Sequence, residues 1–141
     1  MLRKIDDTIF VSPQIGPGDL AQAAALGVRS VINNRPDEEE PGQPEGAAIG
    51  AAAEVAGLAY AAIPVTHAGF SHAQVDAMVQ ALERADGPVL AYCKSGTRST
   101  FLWALARAKM GEHPAVLVQK AEAAGYDLRP MRPMLDALAA S

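Results

Sequence analysis

A chain with a single cysteine cannot close an intramolecular disulfide, so the thiol of Cys93 is free for other work. The three histidines are scattered and, with one cysteine, show no metal-ligand spacing; neither a metal nor a cofactor is expected. Charge of neither sign dominates. Twelve basic against 16 acidic residues leave a net charge of -4, which gives no reason to expect nucleic acid or an acidic membrane surface as partner. No apolar run approaches the roughly 20 residues of a membrane span. The opening Met1-Leu2-Arg3-Lys4-Ile5-Asp6-Asp7 lacks the apolar core of an export signal, so a cytoplasmic location is the default expectation. Aromatics are few and alanine is abundant, which calls for helices that pack closely through small side chains. The length of 141 residues suits one domain with one core, spanning 1–141.

What is present alternates between strand-like and helix-like segments. Residues 2–5 and 8–12 read as short strands joined by the turn former Asp6-Asp7. A helix over 18–26 ends at Gly27. A strand over 28–33 leads into a polar, proline-containing loop, 34–44, the one candidate for a poorly ordered segment. An alanine-rich helix over 45–56 ends at Gly57, and the next strand covers 58–65. Ser71 and Gln74 have the spacing of a capping box at the head of a helix over 71–85, whose apolar face is Val75, Met78, Val79 and Leu82. Val89-Leu90-Ala91-Tyr92 is a continuous apolar run, as expected of a strand covered on both faces. Helices follow over 98–110, 114–124 and 130–140. Strands separated by helices imply an α/β fold with a mostly parallel sheet of about four to five strands and helices on both faces. Ligands bind such sheets at the carboxyl ends of the strands. Asn33-Asn34-Arg35, Thr66-His67 and the loop after Tyr92 are therefore expected to share one edge.

The loop after Tyr92 carries the chemistry. It reads Cys93-Lys94-Ser95-Gly96-Thr97-Arg98-Ser99, between a buried strand and a helix. Backbone N–H groups of a loop curled around Cys93, backed by a helix N-terminus, form a nest that stabilises a thiolate at its centre. Gly96 permits a backbone conformation that a residue with a Cβ resists. Arg98 offers a planar fork for an oxyanion above the sulfur, and Ser99 is placed to donate to the thiolate. A lone cysteine is usually a small buried hydrophobe. The glycine, arginine and serine at nest spacing argue instead for Cys93 and Arg98 as catalytic residues, with Lys94, Ser95, Gly96, Thr97 and Ser99 as the anion-binding loop.

This segment resembles two active-site loops. Cysteine phosphatases carry His-Cys, five residues, then Arg and Ser or Thr; rhodaneses carry a tighter loop with four residues between cysteine and arginine. Cys93 and Arg98 are separated by four. The strand over 28–33, the run Asn33-Asn34-Arg35-Pro36-Asp37, the strand end Ile63-Pro64-Val65 and the Tyr92–Ser99 segment are together similar to the bacterial beta-lactamase-hydrolase-like, phosphatase-like family, over roughly the first 110 residues. The resemblance implies the fold of dual-specificity phosphatases. It implies an activity as a phosphatase or as a sulfurtransferase of sulfide detoxification, with a persulfide dioxygenase as a partner.

Three departures from the phosphatase pattern matter. The loop is one residue short, Tyr92 stands where phosphatases have histidine, and the stretch after Ile63-Pro64-Val65 is Thr66-His67-Ala68-Gly69-Phe70, with no carboxylate to protonate a leaving group. That protonation is worth roughly 10²–10⁴-fold. Sulfur transfer from thiosulfate needs no such acid, because sulfite leaves as a stable anion. The expected function is therefore sulfane-sulfur transfer from thiosulfate or a persulfide to a thiol or cyanide through a Cys93 persulfide. The alternatives are phosphomonoester hydrolysis through a Cys93 phosphocysteine and a non-catalytic module that senses an anion or persulfide. In each case the partner is a small anion: thiosulfate, persulfide or phosphoester.

Arg35, Asn34 and His67 are candidate substrate contacts from the neighbouring strand ends. For Arg35 a surface role steering the 34–44 loop is the stronger expectation, and Asn33 and Asn34 are expected to shape that turn through side-chain hydrogen bonds. Glu38-Glu39-Glu40 reads as a solvated run. Phe101, Leu102, Leu105 and Met110 read as core, Trp103 as core or exposed face, and residues 111–141 as packing without a motif.

Overall fold

The structure, a computed structural model, describes residues 2–140. Five strands and six helices follow one another as β1 (Arg3–Asp6), β2 (Ile9–Ser12), α1 (Asp19–Ala25), β3 (Ser30–Asn33), α2 (Gly46–Val55), β4 (Ala59–Ala62), α3 (His72–Arg84), β5 (Val89–Tyr92), α4 (Thr97–Lys109), α5 (Pro114–Ala123) and α6 (Arg132–Ala139), the last preceded by a 3-10 turn, Arg129–Met131. The sheet order is β1-β2-β5-β3-β4. Only the β1–β2 hairpin is antiparallel; the other three pairings are parallel. This is the expected mostly parallel α/β fold.

β5 is the centre of the sheet, and its unbroken apolar run is explained by burial of all four residues. Strand alternation sends Val89 and Ala91 into the core under α3, α4, α5 and α6. Leu90 and Tyr92 point the other way, into the smaller core under α1 and α2. Because β5 pairs with both β2 and β3, Tyr92 lies level with Ser12 on one side and Asn33 on the other, and Asn33 is level with Ala62. The carboxyl ends of four parallel strands thus form one straight rim. α1 and α2 cover one face and the later helices the other, so the chain changes face beside β5.

α4 is the keystone of the larger core. Leu102, Trp103, Ala104, Leu105, Ala106 and Ala108 are all fully buried between the sheet and its neighbouring helices, which settles Trp103 as core. Phe101 is partly buried and packs against Phe70, whereas Met110, expected inside, is exposed beyond the helix end. α3 begins with the predicted capping box: the Ser71 hydroxyl accepts from the Gln74 amide, and the Gln74 side chain accepts from the Ser71 amide.

Two expectations need correction. The strand over 58–65 is regular only across Ala59–Ala62, although Ile63 and Val65 still donate to the carbonyls of Asn33 and Asn34 at 2.9 Å each. The 34–44 loop is not loose. Asn33 accepts from the Arg35 amide, Gln43 donates to the Pro36 carbonyl, and Asp37 accepts from the Gly46 amide at the head of α2. Short polar side chains bonding nearby backbone substitute here for regular structure. Among the described residues no helix is long and apolar enough to cross a membrane.

Candidate active site

Cys93 leaves the end of β5 with its amide bonded to the Ser12 carbonyl, while the Asn34 amide bonds the Tyr92 carbonyl from the other side. The sheet edge therefore fixes where the sulfur starts. The chain then turns back through Gly96, whose φ of 93° lies in the left-handed region and ends at the first turn of α4. This turn brings the Gly96 amide to 3.1 Å from Cys93 Sγ, the hydrogen bond that the loop makes to sulfur. The Thr97 amide is used locally, by Ser95 Oγ at 3.3 Å. The expectation that all the loop amides converge on the sulfur is thus met by Gly96 alone. The Ser99 hydroxyl is buried and makes no hydrogen bond, so its expected donation to the thiolate is not made here. Lys94 stays at the surface, 3.6 Å from Glu40.

Arg98 is the second residue of α4, buried to 8% exposure, and its guanidinium donates to both carboxylate oxygens of Glu39; that bond first, and the neighbouring Cys93 with it, raise its pKa. It also donates through Nη1 to the Val65 carbonyl at 2.6 Å. The predicted convergence of three segments on one edge therefore holds for the β3 end, the residues after β4 and the cysteine loop. His67 is the exception. It is exposed in the turn after Val65 and joins neither Cys93 nor Arg98.

Asn34 and Arg35, candidate substrate contacts, are buried at the rim and hydrogen-bonded to neighbouring protein groups. The Asn34 amide group donates to the Ile63 carbonyl at 2.9 Å. Arg35, 3% exposed rather than on the surface, donates Nε to Glu39, Nη1 to Gln14 and Nη2 to Glu40. The acidic run is not solvated throughout. Glu39 folds into the rim and pairs with both arginines, at 2.7 Å from Arg98 Nη1 and 2.8 Å from Arg35 Nε. The hydrogen bond from Arg98, against the opposing effect of burial and with help from Arg35, lowers its carboxyl from the ordinary 4.5 to about 2.

Tyr126, from the segment expected only to pack, closes the loop from behind. Its hydroxyl donates to the Ser95 carbonyl at 3.2 Å, its ring lies against Gly96, and Arg3 stacks over the ring 5.4 Å from its centre. Burial and the nearby Cys93 both push the phenol above its usual range. Sequence reasoning passed over Tyr126 because it lies 31 residues from its partner, in a stretch without periodic signal. Tyr92, which replaces the phosphatase histidine, faces the α1/α2 core with its hydroxyl buried and unpaired, and burial raises its pKa well above the usual phenol value. It is removed from the chemistry by strand alternation alone. No cluster of metal-ligating side chains occurs among the described residues.

A cysteine with an amide donor and an arginine beside it, at a helix N-terminus on the rim of a parallel sheet, is an arrangement that can supply a nucleophile and an anion clamp. The family model described as Beta-lactamase hydrolase-like protein, phosphatase-like domain, matches residues 1–110. A Beta-lactamase hydrolase-like protein of Xylella fastidiosa (strain Temecula1 / ATCC 700964) is 39% identical over 125 residues, 88% of this chain and 29% of its own length. The chain spans less than a third of the curated relatives it matches. Two crystal structures of proteins described as putative phosphatases superpose on it. One, from Neisseria meningitidis Z2491, has a TM-score of 0.83 at 38% identity over 96% of both chains. The other, from Shewanella putrefaciens CN-32, has a TM-score of 0.75 at 22% identity over 99% of this chain and 91% of its own, and shares the fold. With the family model covering most of its length, the chain belongs to the beta-lactamase hydrolase-like, phosphatase-like domain family and carries Cys93 and Arg98 on a cysteine-phosphatase fold.

Proposed function

We propose that this phosphatase-like domain is a cysteine-dependent phosphomonoesterase. The observation that carries the reading is the unit formed by Cys93 Sγ, the Gly96 amide and the Arg98 guanidinium at the head of α4. Sγ attacks phosphorus, the S–P bond forms, and the P–O ester bond breaks with its electrons leaving on the alcohol oxygen. Water then attacks phosphorus, the sulfur departs as thiolate, and phosphate is released. The amide and guanidinium stabilise the charge gathered on the non-bridging oxygens.

Residues 66–70 hold no carboxylate, and Glu39 is held ionised, so neither supplies a proton to the leaving oxygen. Phosphoesters whose alcohol leaves as a stabilised anion, aryl esters above all, are therefore the favoured substrate class over alkyl esters. The missing acid corresponds to a preference of roughly 10²–10⁴-fold.

The sulfur-transfer expectation gains nothing from the relatives, which are phosphatase-like. One observation still favours it, the spacing of four residues between Cys93 and Arg98, which makes a smaller ring than the phosphatase loop. One purified batch separates the two. p-Nitrophenyl phosphate hydrolysis and thiosulfate:cyanide transfer are measured side by side, with Cys93→Ser as control. Phosphate release that falls to background in Cys93→Ser supports the phosphatase. Cysteine-dependent thiocyanate formation, with a sulfur adduct on Cys93 by intact mass and no phosphate release, refutes it.

A further inference from the structure

We propose that Ser95 is a positioning residue that sets how tightly the cysteine loop binds its anion: in the free protein its hydroxyl holds the Thr97 amide, and the bound oxyanion takes that amide over. The inference rests on the reading of Cys93 and Arg98 as a nucleophile and an anion clamp. Only four residues separate the two, so each backbone N–H of the loop counts. The Gly96 amide is given to Cys93 Sγ at 3.1 Å. The next amide, that of Thr97, opens α4, where the helix dipole favours a negative charge. It is given to Ser95 Oγ at 3.3 Å. The same hydroxyl donates to Thr97 Oγ1 at 3.0 Å, so both of its bonds close on one residue.

The bond from the Thr97 amide is poised to exchange. At 3.3 Å it is long beside the usual N–H···O length of about 2.9–3.0 Å. An oxyanion offers the same N–H a charged acceptor, and charge-assisted hydrogen bonds are about twice as strong as neutral ones. Ser95 is exposed, so its hydroxyl can turn to water when displaced. Its backbone is pinned: the Ser95 carbonyl accepts from the Tyr126 hydroxyl at 3.2 Å, and the adjacent Lys94 carbonyl accepts from the Gln14 amide at 3.3 Å. Exchange therefore needs a turn of one side chain and no movement of the loop. Because the hydroxyl must be displaced, it weakens anion binding by the strength of one hydrogen bond. Two other roles for Ser95 fit less well. A residue that grips the anion through its own hydroxyl would keep that hydrogen free, whereas Ser95 spends it on Thr97. A plain helix cap sits at the N-cap position, which here is Gly96.

The test titrates the full, isotope-labelled chain with inorganic phosphate and follows the Thr97 amide by NMR. In the wild type this resonance moves downfield and saturates. Ser95→Ala has no hydroxyl to displace, and half-saturation comes at about two- to tenfold lower phosphate, the factor expected of one neutral hydrogen bond. Ser95→Thr keeps the hydroxyl and stays at the wild-type midpoint. Ser71→Ala, which removes a hydroxyl-to-amide bond at the head of α3, leaves the midpoint unchanged. A Thr97 amide that does not respond to phosphate overturns the proposal, as does a midpoint in Ser95→Ala equal to that of the wild type. A higher midpoint in Ser95→Ala overturns it too, and makes the Ser95 hydroxyl a direct donor to the anion. Hydrolysis of p-nitrophenyl phosphate by the wild type, measured alongside, keeps the two readings apart. Turnover with an unmoved Thr97 amide sinks the role of Ser95 alone, and a phosphate-induced shift without turnover sinks the phosphatase alone.

Discussion

Gly96→Ala tests how the cysteine loop is held, and its cost can be worked from contacts at one residue. At φ 93° an alanine resists the left-handed backbone by about 1–2 kcal/mol. The new Cβ would also fall on the hydroxyl oxygen of Tyr126 and lie 3.0 Å from its Cζ. Relieving such overpacking adds about 1–3 kcal/mol, for an expected loss of about 3 kcal/mol in all. Tyr126→Phe alone removes the hydrogen bond to the Ser95 carbonyl and costs about 1 kcal/mol. Together the two changes cost less than their sum, because the atom that blocks the methyl group is the hydroxyl that phenylalanine lacks. The expected coupling is at least about 1 kcal/mol, well above the ~0.5 kcal/mol within which independent sites add. Urea unfolding followed by circular dichroism measures all four proteins of the cycle. Turnover of p-nitrophenyl phosphate reports the same geometry, since Gly96→Ala also shifts the one amide that reaches Sγ, and loss of such a donor costs about 10²–10³-fold. Additive costs would refute the reasoning, because they would mean that the tyrosine hydroxyl is not what confines Gly96.

Two further outcomes follow from the same contacts. The Glu39 carboxyl is depressed from 4.5 to about 2 in the fold, so its contribution is fully present above pH 4.5 and is lost as the pH falls through about 2. The displacement is equivalent to at most about 3 kcal/mol. In urea titrations the wild type should therefore lead Glu39→Gln at pH 7, with the gap narrowing between pH 4.5 and 2; a constant gap would refute the ionic account. Ser71→Ala removes half of the capping box of α3, and should cost about 1 kcal/mol, read as a melting temperature about 3 °C lower with kcat unchanged. A change in kcat there would show that α3 communicates with the cysteine loop.

Local rules were enough for most elements. The capping box of α3 is written in Ser71 and Gln74 and is satisfied within one helical turn. The central place of β5 follows from four consecutive apolar residues, and the order of strands and helices from their alternating periods. That Cys93 and Arg98 belong to one loop was legible for the same reason, because only five positions of chain, with a glycine to turn it, separate them.

What the sequence could not display is contact between distant segments. Glu39 resembles any acidic residue in a polar loop, and only the pairing of β3 beside β5 carries it to Arg98, 59 positions away. The same adjacency buries Arg35, which the sequence placed at the surface, and a fold of the chain after α5 sets Tyr126 behind Gly96. Hydrogen bonds and ion pairs act over about 3 Å of space regardless of chain separation. A helix period or a loop spacing constrains a residue's near neighbours, whereas its far neighbours are set by the order in which strands assemble.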